Sequence, residues 1–347
     1  AVAVLSLLAR GQTDDLRRAE ILASGLAYAV RNDRFYSDKR IRNAYAGGEL
    51  ACYPGWTPNG RIRSARLPVF IDRGTGQCYE DRTMVGTSAG NVAWTMIALT
   101  SAFQKFGDVK YRSAAESLGD WIEENCRDTK GAGGYTGGYE GWENDPQKVT
   151  WKSSEHNIDL YVAFTRLYQA TWDKRWEERA KHARRFVEAM WEPSEGKFWT
   201  GTSDDGINPD RTIIAIDVQA WAVLALPDKR GKYHRALAYA ERHARSGEGF
   251  DYNTDRDGIW YEGTAHMAAA YQQIGKRDKA QSLIAAIESA QTRSGAIPAA
   301  SNDGLTTGLG TVTEDGSNAL GYYRRGHVGA TAWYLLAKAG TNPFWSR

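Results

Sequence analysis

The sequence predicts an all-α protein, a toroid of helical hairpins in which a closed ring of inner helices is wrapped by outer helices. Apolar residues recur with the period of a helix along most of the chain, and joints rich in Gly, Asn and Asp separate the periodic segments. Strand-like segments do not alternate with these helices, which argues against a doubly wound sheet. We expect a single domain that spans residues 1–347.

Ten helices follow from the apolar periodicity. In chain order they cover Asp14–Asn32, Ser88–Phe106, Lys110–Cys126, Glu155–Thr171, Lys174–Met190, Ile214–Leu226, Lys232–Arg245, Tyr261–Ile274, Arg277–Ala290 and Gly326–Ala339. A helix in Val2–Leu8 and an irregular segment near Asp303–Asn318 are the candidates to complete the ring. Short joints such as Gly107-Asp108 and Gly275-Lys276 turn consecutive helices into antiparallel hairpins.

The two helices of a pair differ in their surfaces. The first is apolar around most of its circumference, with small residues such as Ala268, Ala269 and Ala270 interspersed. A helix of this kind is packed on every side. The second carries a charged stripe, as Lys174 and Glu178 show for the helix over Lys174–Met190. The first helices are therefore predicted to form the inner ring, and the second helices the outer ring.

Composition limits the function. The 44 Lys+Arg nearly balance the 42 Asp+Glu, so the charge gives no reason to expect a nucleic-acid partner. No apolar run approaches the roughly 20 residues that span a bilayer, and no membrane insertion is expected. The 13 Trp and 18 Tyr outnumber the 9 Phe, an excess that suits a wet, ligand-stacking surface. Free thiols are expected at Cys52, Cys78 and Cys126, which lack metal-ligand spacing.

The hairpin organisation, the aromatic excess and two segments together resemble the (α/α)6-barrel glycoside hydrolases. These segments are Trp151–Tyr161, which reads WKSSEHNIDLY, and Trp260–Thr264, which reads WYEGT. The resemblance implies an (α/α)6 barrel that binds glycans at the mouth formed by the starts of the inner helices. Most hydrolases of this type invert the anomeric configuration. Some polysaccharide lyases and the sugar 2-epimerases share the barrel. The resemblance therefore implies an enzyme that acts on sugars, but it does not by itself distinguish hydrolysis from elimination or epimerisation.

Ionisable residues stand in the first turns of several inner helices. In an up-and-down ring these starts converge on one mouth, where free N–H groups and the positive ends of the helix dipoles suit hydroxyl-rich ligands. The candidate catalytic carboxyl groups are Glu262, Glu155, Asp217 and Asp159. We expect Glu155 and Glu262 to be the pair that glycoside hydrolysis requires, with Asp217 as a substitute for either. The sequence does not assign the acid and the base.

A plainer interpretation stays open for each acid. Glu155 and Glu262 suit the role of helix-capping residues, because acids are common in first turns. Asp159 and Asp217 suit the role of buried structural carboxylates that are hydrogen-bonded to neighbouring groups. Glu262 is the strongest candidate, because it follows two aromatic residues and precedes Gly263, where a ligand or backbone can approach closely.

Aromatic and polar residues near the same starts are the candidates for substrate binding. The glycine-rich loop 131–142 precedes the helix that begins near Glu155, and its glycines are expected to let aromatic rings stand out for stacking on sugars. The alternative is that these rings fold back onto the core. The predicted binding residues are His156, Tyr261, Trp260, Tyr135, Tyr139, Trp142, His327, Arg42, Tyr45 and Tyr323, with Tyr322, Arg324 and Arg325 as further rim candidates.

No cofactor and no metal are expected. The segment Asp251–Gly258 resembles the start of a calcium loop, but Thr264 stands where a bidentate Glu is needed, so a simple Asx-turn is favoured. No zinc motif is present, and His182, His234 and His243 are expected to be solvated on outer helices.

The leading hypothesis is a glycoside hydrolase acting on a polysaccharide or oligosaccharide. The alternatives are a lyase, an epimerase with His156 and His327 as paired proton carriers, and a non-catalytic glycan-binding toroid. The oligomeric state is not predicted. No intact signal peptide is recognised, and a secreted or periplasmic location is slightly favoured.

Overall fold

The computed structural model describes residues 1–46, 65, 67–68, 70–71, 74–76, 78–310 and 321–346. Within this part of the chain, twelve helices form. They are α1 (Val2–Arg10), α2 (Thr13–Arg31), α3 (Arg82–Val85), α4 (Ala89–Phe106), α5 (Val109–Cys126), α6 (Ser154–Thr171), α7 (Lys174–Ala189), α8 (Ile216–Ala225), α9 (His234–His243), α10 (Tyr261–Gln273), α11 (Arg277–Ser289) and α12 (Val328–Lys338).

Six helices close into an inner ring. In the order α1, α4, α6, α8, α10 and α12, each packs against the next, and α12 packs against α1. On the outside, α2, α5, α7, α9 and α11 each pack against the inner helix that precedes them. All residues of inner helix α8 are buried, whereas outer helix α7 exposes Lys174, Glu178 and Lys181. The predicted all-α toroid, with its inner and outer rings, is confirmed.

Short antiparallel strand pairs fill the loops between the helices. The strands are β1 (Phe70–Ile71), β2 (Cys78–Tyr79), β3 (Thr87–Ser88), β4 (Gly138–Glu140), β5 (Gln147–Val149), β6 (Trp191–Glu192), β7 (Lys197–Phe198), β8 (Arg245–Ser246) and β9 (Gly249–Phe250). One sheet, β3-β4-β5, pairs Ser88 with Gly138 and Gly138 with Val149. It therefore fixes the glycine-rich loop beside the start of α4.

The predicted helices agree with the observed ones to within a few residues at their ends. The helix predicted in Val2–Leu8 is α1, and it completes the inner ring. The irregular segment predicted near Asp303–Asn318 contains turns and a bridge from Leu305 to Tyr322 in its described residues, 303–310, and these form no helix. The remainder of that segment lies outside the described residues.

The prediction of free thiols is confirmed for Cys126, which is buried at the end of α5. Burial raises the pKa of its thiol to about 12, so this cysteine is chemically inert. Cys52 lies outside the described residues. Within the described part of the chain, no helix has the length and apolarity needed to cross a bilayer.

Candidate active site

Three acids occupy the same position on three inner helices. Glu155 is the second residue of α6, Asp217 of α8 and Glu262 of α10. The corresponding residues of α4 and α12 are Gly90 and Gly329. Because the inner helices run in the same direction around the ring, equal positions on them lie at the same end of the barrel.

The electrostatics of the three acids show that their carboxyl groups converge. Burial raises the pKa of Glu155 well above its ordinary value, and the charges of Asp217 and Glu262 raise it further. Burial and the charge of Asp217 raise the pKa of Glu262 to about 8. Coulomb interactions of this kind weaken with distance, so the three carboxyl groups lie close together. Glu155 and Glu262 are partly exposed, and the space that they border is called the hollow.

Asp217 has a lower pKa than Glu262. Burial raises its pKa to about 6, and the N–H of Val218, which donates to Oδ1 at 2.6 Å, opposes the rise. A helix N-terminus favours the charged form of a carboxyl group. Near neutral pH, Asp217 therefore carries the negative charge, while Glu262 holds its proton.

One turn deeper, a second layer of residues closes the floor of the hollow. It consists of the residues four positions further along the same helices, Trp94, Asp159, Trp221, His266 and Trp333. Trp221 lies 5.2 Å from Trp94 and 5.8 Å from Trp333, and His266 lies 4.3 Å from Trp333, between ring centroids. An aromatic floor therefore lies beneath the acids.

Asp159 belongs to this floor and does not line the hollow. Its side chain is fully buried, neither carboxyl oxygen accepts a well-formed hydrogen bond, and Trp94 gives only a weak one. Burial and the charges of Glu155 and Asp217 raise its pKa well above the ordinary value. The prediction that Asp159 acts directly on substrate is therefore corrected, because no part of its carboxyl group is accessible to a ligand.

An aromatic wall rises beside the acids. Tyr322 stacks on Trp260, with ring centroids 5.5 Å apart, and Tyr252 lies 4.9 Å from Trp260. Burial and the charges of Glu262, Asp217 and Glu155 raise the pKa of Tyr322 well above its ordinary value. Trp260 is buried and presents no open stacking face, and Tyr261 is also buried.

Tyr252 was not predicted from the sequence. Burial raises its pKa, and so do the charges of Asp217 and Glu155, which places its hydroxyl at the acid cluster. It lies in the loop between β9 and α10, where no periodicity indicates which way a side chain points. Its place in a loop that leads to an inner helix was the available signal. The expected role of Gly263 is also corrected, because it accommodates the indole of Trp260 rather than a ligand.

Two histidines lie at the starts of inner helices. His327 is the N-cap of α12, and its Nδ1 accepts the N–H of Ala330 at 3.2 Å and lies 3.5 Å from Glu262 Oε2. His156 lies in the first turn of α6, with Nε2 3.5 Å from the hydroxyl oxygen of Ser88. Burial lowers the pKa of His156 to about 4 and lowers that of His327, so both rings are neutral near pH 7.

Tyr135 lies in the core instead of at the mouth. Its side chain is fully buried, and its hydroxyl donates to Glu123 of outer helix α5 at 2.8 Å. Its N–H donates to Asn157 Oδ1 at 2.8 Å. The glycines of the loop allow this close packing, since a Cβ at Gly134 would lie 2.7 Å from the Cβ of Phe186. The prediction that Tyr135 stacks on substrate is corrected.

The substitution Tyr135→Phe is expected to leave the KM for any substrate unchanged. It removes one hydrogen bond to a charged group and keeps the buried ring, so stability should fall by about 1–3 kcal/mol. Denaturant unfolding and steady-state kinetics on the same preparation check both parts. A raised KM with unchanged stability would contradict the assignment of this ring to the core.

Arg42 and Tyr45 are also structural. The Arg42 guanidinium is buried and bonds to Asp33 at 2.6 Å, to Glu143 at 2.9 Å and to the carbonyl of Val85 at 2.6 Å. The Tyr45 hydroxyl accepts the N–H of Arg42 at 2.8 Å. Both were predicted to bind substrate, and the structure corrects this, because these contacts use their polar groups within the protein.

Three further candidates lie at different depths. Tyr139, in β4, is half-buried, and its ring lies 6.2 Å from that of Trp121 on outer helix α5. Trp142 and Tyr323 are 41% and 46% exposed, so both are available for stacking. His182 is buried and accepts the N–H of Gly134 at 3.0 Å, which corrects the expectation of a solvated ring.

Among the described residues, one group of acids has the spacing of a cation site. Ligand atoms of Asp251, Asp255 and Asp257 lie within 4.8 Å of one another. Asp251 Oδ2 accepts the N–H of Asp257 at 2.7 Å, and Asp255 Oδ2 accepts the Thr306 hydroxyl at 2.7 Å. Asn253 Oδ1 accepts the N–H of Asp255 at 2.7 Å, as in the favoured Asx-turn. Hydrogen bonds within the chain therefore hold this loop in shape.

No protein-family model and no curated protein matches this chain. Solved structures do match it. Cellobiose 2-epimerase from Spirochaeta thermophila has a TM-score of 0.65 at 15% identity, covering 99% of this chain and 84% of that one. A glycosidase in complex with glucose has a TM-score of 0.61 at 13% identity, covering 98% and 85%. A polysaccharide lyase has a TM-score of 0.55 at 10% identity, covering 97% and 88%.

The chain thus has the (α/α)6-barrel fold found in glycoside hydrolases and in other enzymes that act on sugars. At these identities the likeness concerns the fold, on which hydrolases, an epimerase and a lyase all occur. The choice among these reactions depends on the chemistry of the site.

Proposed function

We propose that this protein is a glycoside hydrolase that cleaves a polysaccharide or oligosaccharide with inversion of configuration. The observation that carries the proposal is that Glu155, Asp217 and Glu262 lie at one end of the barrel, with the pKa of Asp217 raised to about 6 and that of Glu262 raised to about 8. Separated pKa values let carboxyl groups of the same kind serve as acid and as base at one pH.

Glu262 is the proposed general acid. Its side chain is 16% exposed, so it meets the hollow while being largely desolvated. With a pKa of about 8 it holds a proton at neutral pH, which the departing glycosidic oxygen needs. The ring of His327, whose Nδ1 lies 3.5 Å from Glu262 Oε2, is neutral near pH 7 and supplies no positive charge that would favour the charged carboxylate.

The Glu155–Asp217 pair is the proposed general base. Burial and the charge of Asp217 raise the pKa of Glu155, so protons bind to the two acids as a pair rather than to each independently. The pair can accept one more proton from a water molecule that attacks the anomeric carbon. In inverting enzymes this water lies between the base and the sugar.

The pH dependence of kcat/KM is expected to be bell-shaped. Activity should rise as pH passes about 6, where Asp217 loses its proton, and fall as pH passes about 8, where Glu262 loses its own. Initial rates between pH 4 and 10 at low substrate concentration check this. A rate that keeps rising above pH 9 would rule out Glu262 as the acid.

A lyase is less consistent with the site. A tyrosine that removes a proton from a uronic acid needs a lowered pKa, but the acids around Tyr322 and Tyr252 raise theirs. An epimerase is the second candidate, and the neutral rings of His156 and His327 at two inner-helix starts favour it. Neutral imidazoles are suited to take up protons at pH 7.

A panel of polysaccharides and oligosaccharides tests the proposal. New reducing ends, with the first-formed anomer followed by proton NMR, indicate hydrolysis and its stereochemistry. An unsaturated product with new ultraviolet absorbance indicates a lyase, and deuterium uptake from solvent without chain cleavage indicates an epimerase. Saccharide binding without any of these reactions, unaffected by Glu262→Gln, would indicate a non-catalytic toroid. Each of the last three results would overturn the proposed hydrolase.

A further inference from the structure

Gly329, on inner helix α12, has no side chain at a position where three other inner helices carry an acid. It is the second residue of α12, the position that Glu155, Asp217 and Glu262 occupy on their own helices. A Cβ at Gly329 would lie 2.6 Å from both carboxyl oxygens of Glu262. The carboxyl group of Glu262 therefore rests directly on the backbone of α12.

The conformation of α12 does not require glycine at this position. Gly329 lies inside a regular helix with no positive φ, a conformation that every L-residue adopts. Glycine is less favourable than alanine in helices. The contact with Glu262 is the feature of the structure that accounts for a residue without a side chain here.

His327 completes the surroundings of this carboxyl group. Its Nδ1 accepts the N–H of Ala330, which fixes the ring at the start of α12, 3.5 Å from Glu262 Oε2. The backbone at Gly329 and the imidazole of His327 thus enclose the carboxyl group of Glu262 on two sides.

We propose that the first turn of α12 is a seat that positions the Glu262 carboxyl group, with Gly329 and His327 as its two positioning residues. This inference rests on the proposed role of Glu262 as the general acid. The seat keeps the proton donor at a fixed point of the hollow and away from bulk water.

The substitution Gly329→Ala is expected to displace the carboxyl group while the protein stays folded, because the end of a flexible side chain gives way more easily than a helix. A misplacement of about 1 Å in a reacting group lowers kcat about 100-fold. KM and Tm should change little. Gly25→Ala is the matched control, because Gly25 also lies within a helix, α2, and an added Cβ there meets no atom within 4 Å.

The pH profile separates positioning from a structural defect. The groups that face Glu262 are Asp217, Glu155, His266, His327 and Tyr322. A carboxyl group pushed off the seat gains contact with water, so its pKa should fall from about 8 toward the ordinary 4.5. The alkaline limb of the kcat/KM profile should therefore move to lower pH in Gly329→Ala and stay in place in Gly25→Ala.

A double-variant cycle and a direct titration complete the test. In the Glu262→Asp background the side chain is one methylene shorter, so its carboxyl group no longer reaches Gly329. Gly329→Ala should then lower kcat less than threefold, instead of about 100-fold. Titration of Glu262 by carbon-13 NMR, assigned with Glu262→Gln, gives its pKa without reference to turnover. An unchanged pKa and kcat in Gly329→Ala would overturn the seat. A shifted pKa in a protein that cleaves no glycan would overturn the hydrolase and retain the seat.

Discussion

Glu262→Gln is expected to lower glycoside cleavage by roughly 10²–10⁴-fold and, at the same time, to stabilise the folded protein at neutral pH. The loss of activity follows from the loss of the transferable proton. Glutamine keeps the shape of the side chain, so the hollow and its capacity to bind saccharide should persist. Loss of activity together with a gain in stability is the mark of a residue retained for chemistry and not for the fold.

The gain in stability follows from the sign of the pKa shift. The pKa of Glu262 is about 8 in the folded protein, against an ordinary 4.5. Between pH 4.5 and pH 8, residue 262 is charged in the unfolded chain and protonated in the folded protein. Unfolding therefore releases a proton, and Glu262 lowers the free energy of unfolding increasingly as pH rises. Glutamine is uncharged in both states, so Glu262→Gln should raise the free energy of unfolding by about 3 kcal/mol at pH 7.

Denaturant unfolding at pH 5 and at pH 8 measures the effect. The gain from Glu262→Gln should be small at pH 5 and large at pH 8, and saccharide binding by calorimetry should be retained. Glu178→Gln is the matched control, because that side chain is 70% exposed on outer helix α7 and should change stability by less than about 0.5 kcal/mol. A variant that keeps its activity, or is destabilised at pH 8, would refute the assignment.

Arg42→Ala is expected to give the largest loss of stability, about 3–5 kcal/mol. The Arg42 side chain is 2% exposed, and it pairs with Asp33, which is 3% exposed, and with Glu143, which is 13% exposed. Removing the guanidinium leaves these carboxylates buried with reduced compensation. This expectation differs from the role first predicted for Arg42, in which its loss would weaken substrate binding and leave the fold intact.

The effect of Arg42→Ala should depend on pH. Arg42 and two backbone N–H groups hold the pKa of Asp33 below its ordinary value despite burial, and Arg34 and Arg42 do the same for Glu143. A carboxyl group with a lowered pKa contributes stability above its ordinary pKa and loses it as pH falls. The difference in the free energy of unfolding between wild type and Arg42→Ala should therefore become smaller below about pH 4.

Urea unfolding of wild type and Arg42→Ala between pH 3 and 7 checks this expectation. Arg18→Ala is the control, because Arg18 pairs with Asp14 on the exposed face of α2, where both side chains are more than 60% exposed. An exposed pair of this kind contributes about 1 kcal/mol or less. Equal losses for the two variants would refute the structural role assigned to Arg42.

The sequence by itself determined the helices, their sorting into two rings and the end of the barrel at which the acids meet. The physical reason is that helical periodicity is local, and the width of the apolar surface reports how much of a helix is covered. Glu155, Asp217 and Glu262 each follow the start of an inner helix by one residue, so the pattern that located the helices also located the acids.

Only the tertiary structure decided which candidates face the hollow and which groups carry protons. Tyr135 and Trp142 come from one glycine-rich loop, yet one is buried and the other is 41% exposed, because a loop has no period that fixes the direction of a side chain. The pKa values of Asp217 and Glu262, and the contact of Gly329 with Glu262, depend on neighbours from different helices. Charge, burial and packing between distant segments exist only once the ring has closed.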